Sequence, residues 1–147
     1  MRIAYQNMIL QPPEIVFPWV AEPEKAMKWQ KNVKEGEIIL NKPDVIGTTF
    51  KEVIIEDGKS LEMVGRITKY VKNKVIGFHL ESKMHKVDVI YSLEEINSNT
   101  KLSIEAMISW KFPMNVISLF VGNKMKKNII KQLESETQEL KKICETG

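Results

Sequence analysis

From about Val33 to Trp110 apolar side chains return at every second position, and after Pro113 they return at helical spacing for about 30 residues. A chain with that single change of period must lay a sheet with one apolar face against one long amphipathic helix. Alternation is clearest in the later strands: Leu61, Met63, Gly65 and Ile67; Ile76, Phe78 and Leu80; Val87, Val89, Tyr91 and Leu93; Leu102, Ile104, Ala106, Ile108 and Trp110. The positions between them carry Glu62, Arg66, Lys86, Asp88, Glu94, Ser103, Glu105 and Ser109, so one face is wet, as in an antiparallel meander. Turn residues at Asn41 to Asp44, at Asp57 and Gly58, at Asn73 and at Asn97 to Asn99 punctuate this segment, whose spacing suggests six successive strands joined by short turns. The helical segment supplies the cover through Ile117, Phe120, Val121, Met125, Ile129, Leu133, Leu140 and Cys144. At about 1.5 Å per residue it is roughly 45 Å long, enough to cross the sheet from edge to edge.

Upstream, Ile3 to Leu10 reads as a further strand with Ile3, Tyr5 and Ile9 on one face. Pro12 and Pro13 end it, because proline has no N–H for a ladder but suits the first turn of a helix. Two short helices follow, Glu14 to Ala21 and Pro23 to Gln30, with Val16, Phe17 and Val20 on one face of the first and Ala26 and Trp29 on the second. The expected class is α+β: seven antiparallel strands, two short helices between strands one and two, and a long C-terminal helix, all in one domain.

Composition removes several alternatives. At 147 residues, 43% hydrophobic and 28% charged, the chain has the balance of a folded globular domain. A net charge of +3, from 22 basic and 19 acidic side chains, is too small and too dispersed to mark a nucleic-acid binder. Cys144 is alone, so no intramolecular disulfide can form, and no cationic stretch leading into an apolar one opens the chain. The longest uncharged run, Phe112 to Asn123, is 12 residues, against the roughly 20 a membrane-spanning helix needs. These features point to the reducing cytoplasm.

The stretch "ILQPPEIVFPWVAEPEKAMKW", with Pro12, Val16, Phe17, Pro23, Glu24 and Trp29, resembles the opening of the START-like (SRPBCC) superfamily. "VIGTTF", with Gly47 and Phe50, is similar to the start of that superfamily's third strand, and "YSLEEINSNTKLSIEAMISW" resembles its final hairpin. The resemblance implies a helix-grip fold, a curved sheet wrapped around the C-terminal helix with an apolar cavity between them. Members include lipid carriers, aromatic polyketide cyclases, hormone-binding proteins and cochaperones. The function it implies is binding or transport of a small hydrophobic ligand, lipid-like or polyketide-like. A cyclase or aromatase-like enzyme and a cochaperone-like interaction module, its cavity filled by side chains, are the alternatives.

Inward-facing residues expected to line such a cavity are Met63, Ile67, Phe78, Leu80, Val89, Tyr91, Ile104, Ala106, Ile108 and Trp110 from the sheet, with Ile117, Phe120 and Val121 from the first turns of the helix. Few titratable groups accompany them. Tyr91, Tyr5, Asn7, Trp29 and Trp110 are the polar groups expected to turn inward, suited to orienting a carbonyl or hydroxyl rather than abstracting a proton. Both His79 and His85 are expected on the surface, and no His, Cys, Asp or Glu set has metal-ligand spacing, so neither metal nor cofactor is expected. Cys144 falls on the apolar side of the helix, where a thiol behaves as a small hydrophobe. Gly47 and Gly65 read as strand-start and sheet-bend positions.

Lys124, Lys126, Lys127 and Lys131 follow the apolar run "VISLFVG", a pattern that suits transient contact with an anionic membrane surface. Further along the helix, Glu134, Glu136 and Glu139 balance Lys141 and Lys142 as an ordinary exposed face would. An open strand edge leaves monomer and homodimer equally compatible with the pattern.

Overall fold

The computed structural model describes residues 1–56 and 58–146. The expected turn at Asp57 and Gly58 therefore falls partly outside the described residues. Strand β1 (Arg2–Ile9) is followed by α1 (Pro13–Ala21) and α2 (Pro23–Ala26). Six strands come next, β2 (Val33–Leu40), β3 (Thr49–Glu56), β4 (Lys59–Val71), β5 (Val75–Glu81), β6 (His85–Ile96) and β7 (Asn99–Trp110), before α3 (Met114–Thr146). The sheet order is β1-β7-β6-β5-β4-β3-β2, with each neighbouring pair antiparallel. Only β1 departs from chain order: it pairs with β7, so the first strand lies beside the last, and β1 and β2 are the two edges of the sheet.

The prolines set the boundaries of the short helices. Pro13 occupies the first turn of α1, where its missing N–H is not needed, and the Pro12 carbonyl accepts the N–H groups of Ile15 and Val16 at 3.0 and 3.3 Å. α1 ends where the Glu22 N–H reaches the Pro18 carbonyl and Pro23 begins α2. α2 is shorter than the expected Pro23 to Gln30, one turn of regular helix continued to Gln30 by turn-type bonds onto Lys25 and Ala26. The Trp29 indole N–H, donating to the Trp19 carbonyl at 2.7 Å, ties that continuation back to α1.

Gly65 is where the sheet needs the absence of a side chain. It pairs with Phe50 across β3 and β4, and a Cβ there would stand 2.5 Å from the Phe50 ring. The ring therefore lies over β4 and reaches Phe78 on β5, the two centroids 5.7 Å apart and edge to face. At Gly47 the backbone turns into β3 with φ +90, a conformation that glycine adopts without strain.

Side chains fill one end of the molecule. Ile9, Val16, Leu102, Ile104, Leu140 and Cys144 pack together where α1, β1, β7 and the C-terminal half of α3 converge. α3 does not cover the sheet from edge to edge as expected. At 33 residues it is roughly 50 Å long, whereas the eight residues of β1 extend only about 27 Å. The buried residues of α3 all lie in its C-terminal half, and its first turns extend past the packed end. Phe112, just before the helix, is 78% exposed, and Leu119 and Phe120 are 81% and 84% exposed.

Candidate functional site

Away from the packed end, α3 and the short helices leave the inward face of the sheet uncovered. Two cavities occupy the space. The first, about 270 Å³, lies between the α1–α2 junction (Val20, Ala21, Pro23, Ala26), the segment before β3 (Asn41, Val45, Thr48) and an apolar wall of Phe50, Ile67, Ile76, Phe78, Leu80 and Val89. The second, about 240 Å³, lies under the middle of α3, between Ile129, Leu133 and Glu136 on the helix and Trp29, Val33, Ile54, His85, Ile108 and Trp110 opposite. Gln30, Glu52 and Tyr91 line both. Taken together the cavities reach the size of a small-molecule site, roughly 300–1,000 Å³.

An aromatic chain runs along the boundary. Phe50 meets Phe78, Phe78 meets Tyr91 with centroids 6.0 Å apart, and Tyr91 meets Trp29 at 6.5 Å, each contact edge to face. Such contacts fix ring orientation beyond what burial alone provides. In the second cavity the rings of His85 and Trp110 are 5.2 Å apart. In the lining of the first, Val45 has φ 71, costly for a β-branched residue. Its N–H bonds to the Lys42 carbonyl, while its own carbonyl accepts the Thr48 N–H, both at 3.0 Å.

Acidic and polar groups collect where the cavities meet. Tyr91 hydrogen-bonds with the Gln30 amide; burial, and then the charges of Glu136 and Glu52, hold its hydroxyl far above the ordinary phenol range, so it stays neutral. Glu136 is only 5% exposed. Its carboxylate accepts the Lys31 backbone N–H at 2.8 Å and the Gln132 amide at 3.3 Å, but burial still raises its pKa. Glu52 is raised by burial alone, and among the described residues its carboxylate has no hydrogen-bond or ion-pair partner. No Lys or Arg among the described residues lines either cavity.

Of the residues expected to line a cavity, Ile67, Phe78, Leu80, Val89 and Tyr91 border the first, and Tyr91, Ile108 and Trp110 the second. Ile104 and Ala106 pack into the filled core instead, and Met63 is buried outside both linings. Ile117, Phe120 and Val121 lie on the exposed first turns of α3, because that part of the helix has run past the sheet. His85 corrects an expectation: it is 7% exposed, inside rather than on the surface, with its Nδ1 2.7 Å from the Ser82 hydroxyl. His79 lies between Asp88 and Glu81, at 2.7 and 2.9 Å, and both bonds raise its pKa.

Glu52 and Glu136 are the groups sequence reasoning missed, although both carry a signal. Glu52 shares strand parity with Phe50 and Ile54, and His85 shares it with Val87, Val89 and Tyr91. Glu136 stands at helical spacing between Leu133 and Leu140, on the buried stripe of α3 rather than the exposed one. Among the described residues, no group of three or more His, Cys, Asp or Glu could hold a metal ion.

A curved sheet gripping a long C-terminal helix is the helix-grip fold expected from the START-like resemblance, and solved structures share it. The chain is similar to a protein from Thermus thermophilus, TTHA0849, at 14% identity and TM-score 0.83 over 99% of this chain and 98% of that one. It is equally similar to a START superfamily protein from Mycobacterium smegmatis, at 17% identity and TM-score 0.83 over 99% and 97%. Against Ara h 8.0201 the TM-score is 0.74 at 14% identity, over 100% and 99%. No curated protein matches the chain. A family model described as "Activator of Hsp90 ATPase homolog 1-like protein" matches residues 11–143, and the chain belongs to that family.

Proposed function

We propose that the chain binds and carries a small hydrophobic ligand, lipid-like or polyketide-like, in the two cavities between sheet and helices. The observation that carries this reading is the unfilled space itself, walled by Phe50, Ile67, Phe78, Leu80 and Val89. Close-packed interiors do not keep such volumes without reason, and burial of apolar surface supplies about 25 cal/mol per Å² for a ligand that fills them. Ligand exchange takes place at an anionic membrane surface in the cytoplasm, touched by the exposed Phe112, Leu119 and Phe120, with Lys124, Lys126, Lys127 and Lys131 attracting the lipid headgroups. Uptake of Nile red, a neutral apolar dye, tests the binding step: saturable uptake is expected, and none would count against the reading.

The family description favours a second reading, a cochaperone that stimulates an Hsp90-type ATPase. A module of that kind has no need of an open cavity, which is why ligand binding is preferred. An ATPase assay with the chaperone separates the two, since a carrier leaves the rate unchanged. A cyclase-like activity would make Tyr91 essential, so turnover retained by Tyr91→Phe would remove that enzyme reading.

A further inference from the structure

The polar boundary between the cavities limits what the ligand's head group can be, an inference that rests on the ligand-binding reading above. We infer that the natural ligand is an amphipathic amine, its apolar body in the first cavity and its protonated nitrogen on the carboxylate of Glu52. Three observations lead there. Glu52 and Glu136 both line the second cavity, and no Lys or Arg among the described residues lines either, so a carboxylate or phosphate head would be buried against like charge. Of the polar groups at the boundary, Glu136 is already satisfied by the Lys31 N–H and Gln132, and Tyr91 by Gln30. Glu52 is the acceptor left over, without a partner among the described residues although it lines both cavities.

A half-buried carboxylate without a partner gains most from a donor that also carries positive charge. Charge-assisted hydrogen bonds are about twice as strong as neutral ones, so an ammonium outranks a hydroxyl at this position. Phe78 and Tyr91 line the first cavity together with Glu52, and Tyr91 and Trp29 line the second with it, so aromatic rings of the kind that attract cations border the same space as the carboxylate. Other titratable side chains lining the cavities are Glu22 and Tyr70 in the first and Glu136 and His85 in the second, and the carboxylates among them favour a cation rather than an anion.

The test is displacement of Nile red from the full chain at neutral pH by dodecylamine, dodecanol and dodecanoic acid, each below its aggregation concentration. The amine is expected to displace the dye at a concentration about tenfold lower than the alcohol, with the acid weakest. Glu52→Gln should bring amine and alcohol together, each displacement being read against the variant's own Nile red affinity, and a cooperative thermal melt reports that the variant is folded. Glu136→Gln, whose carboxylate is already occupied, should keep most of the amine's advantage. An acid that displaces as well as the amine, or an amine preference that survives Glu52→Gln, overturns the inference and leaves the cavity reading standing. Absence of Nile red binding in the unsubstituted chain removes both.

Discussion

The two halves of α3 belong to one helix and meet opposite environments. In the C-terminal half Leu140 and Cys144 are buried against β1 and α1, and polar groups clamp the end: the Lys141 ammonium donates to the Met8 carbonyl at 2.9 Å, and Glu145 accepts the Leu10 N–H at 2.8 Å. The N-terminal half carries apolar residues as large, Leu119 and Phe120, and exposes them almost fully. Apolar content therefore does not decide which half packs. Reach does: β1 and the curl of the sheet supply a surface for about half the helix length, and the remainder is left for a cavity roof and an outward apolar face.

The largest test of that contrast is a pair of truncations. Leu140→Ala should cost about 2–5 kcal/mol in urea denaturation, the usual loss for a buried leucine that leaves a void. Leu119→Ala should change stability by no more than about 0.5 kcal/mol, as exposed substitutions do. Equal effects would mean that the first turns of α3 are packed in solution.

The clamp comes next. Burial would raise the pKa of Glu145, but the Leu10 N–H and Lys141 outweigh it and leave the carboxylate below its usual range. A depressed pKa contributes stability that is present above the unfolded value and lost as pH falls through the folded one. Glu145→Gln should therefore cost roughly 1 kcal/mol at neutral pH, and thermal melts of the variant and the parent should converge in acid.

Glu52 should show the opposite sign at the hollow end. Burial raises its pKa, so its contribution to stability is fully present below the unfolded value and is lost as pH rises through the folded one. Glu52→Gln is expected to raise the melting temperature at neutral pH by a few degrees at most, and that gain should shrink toward about pH 4. A variant less stable than the parent at neutral pH would show that the carboxylate has a partner in solution.

The smallest expected stability effect belongs to Phe120→Ser, which should leave denaturation unchanged and weaken binding to vesicles containing anionic lipid. Unchanged vesicle binding would remove Phe120 from the membrane-facing surface.

Sequence period made the architecture legible, because strand alternation and helical spacing are properties of local geometry. It also located much of the cavity wall, through Ile67, Phe78, Leu80, Val89 and Tyr91. What it conceals has a common cause: polar residues also occupy positions of the buried period. Glu52 and His85 keep the parity of buried strand positions and Glu136 keeps the buried helical spacing, yet their polarity suggested solvent. The fate of Ile117, Phe120 and Val121 was not legible at all, since spacing describes which face of a helix is apolar and not how far the opposing sheet extends. Ile104 and Ala106 differ from Ile108 by one or two steps along β7, and the curvature that puts them in filled core rather than at a cavity is a tertiary property.

The most direct test of the hollow end is native mass spectrometry of freshly purified chain, followed by organic extraction. A mass above that of the bare chain, returning to it when an apolar molecule is extracted, is the expected result, and identification of that molecule's head group would settle the role of Glu52. A bare mass, together with no saturable uptake of Nile red, would contradict ligand binding and leave the cochaperone reading.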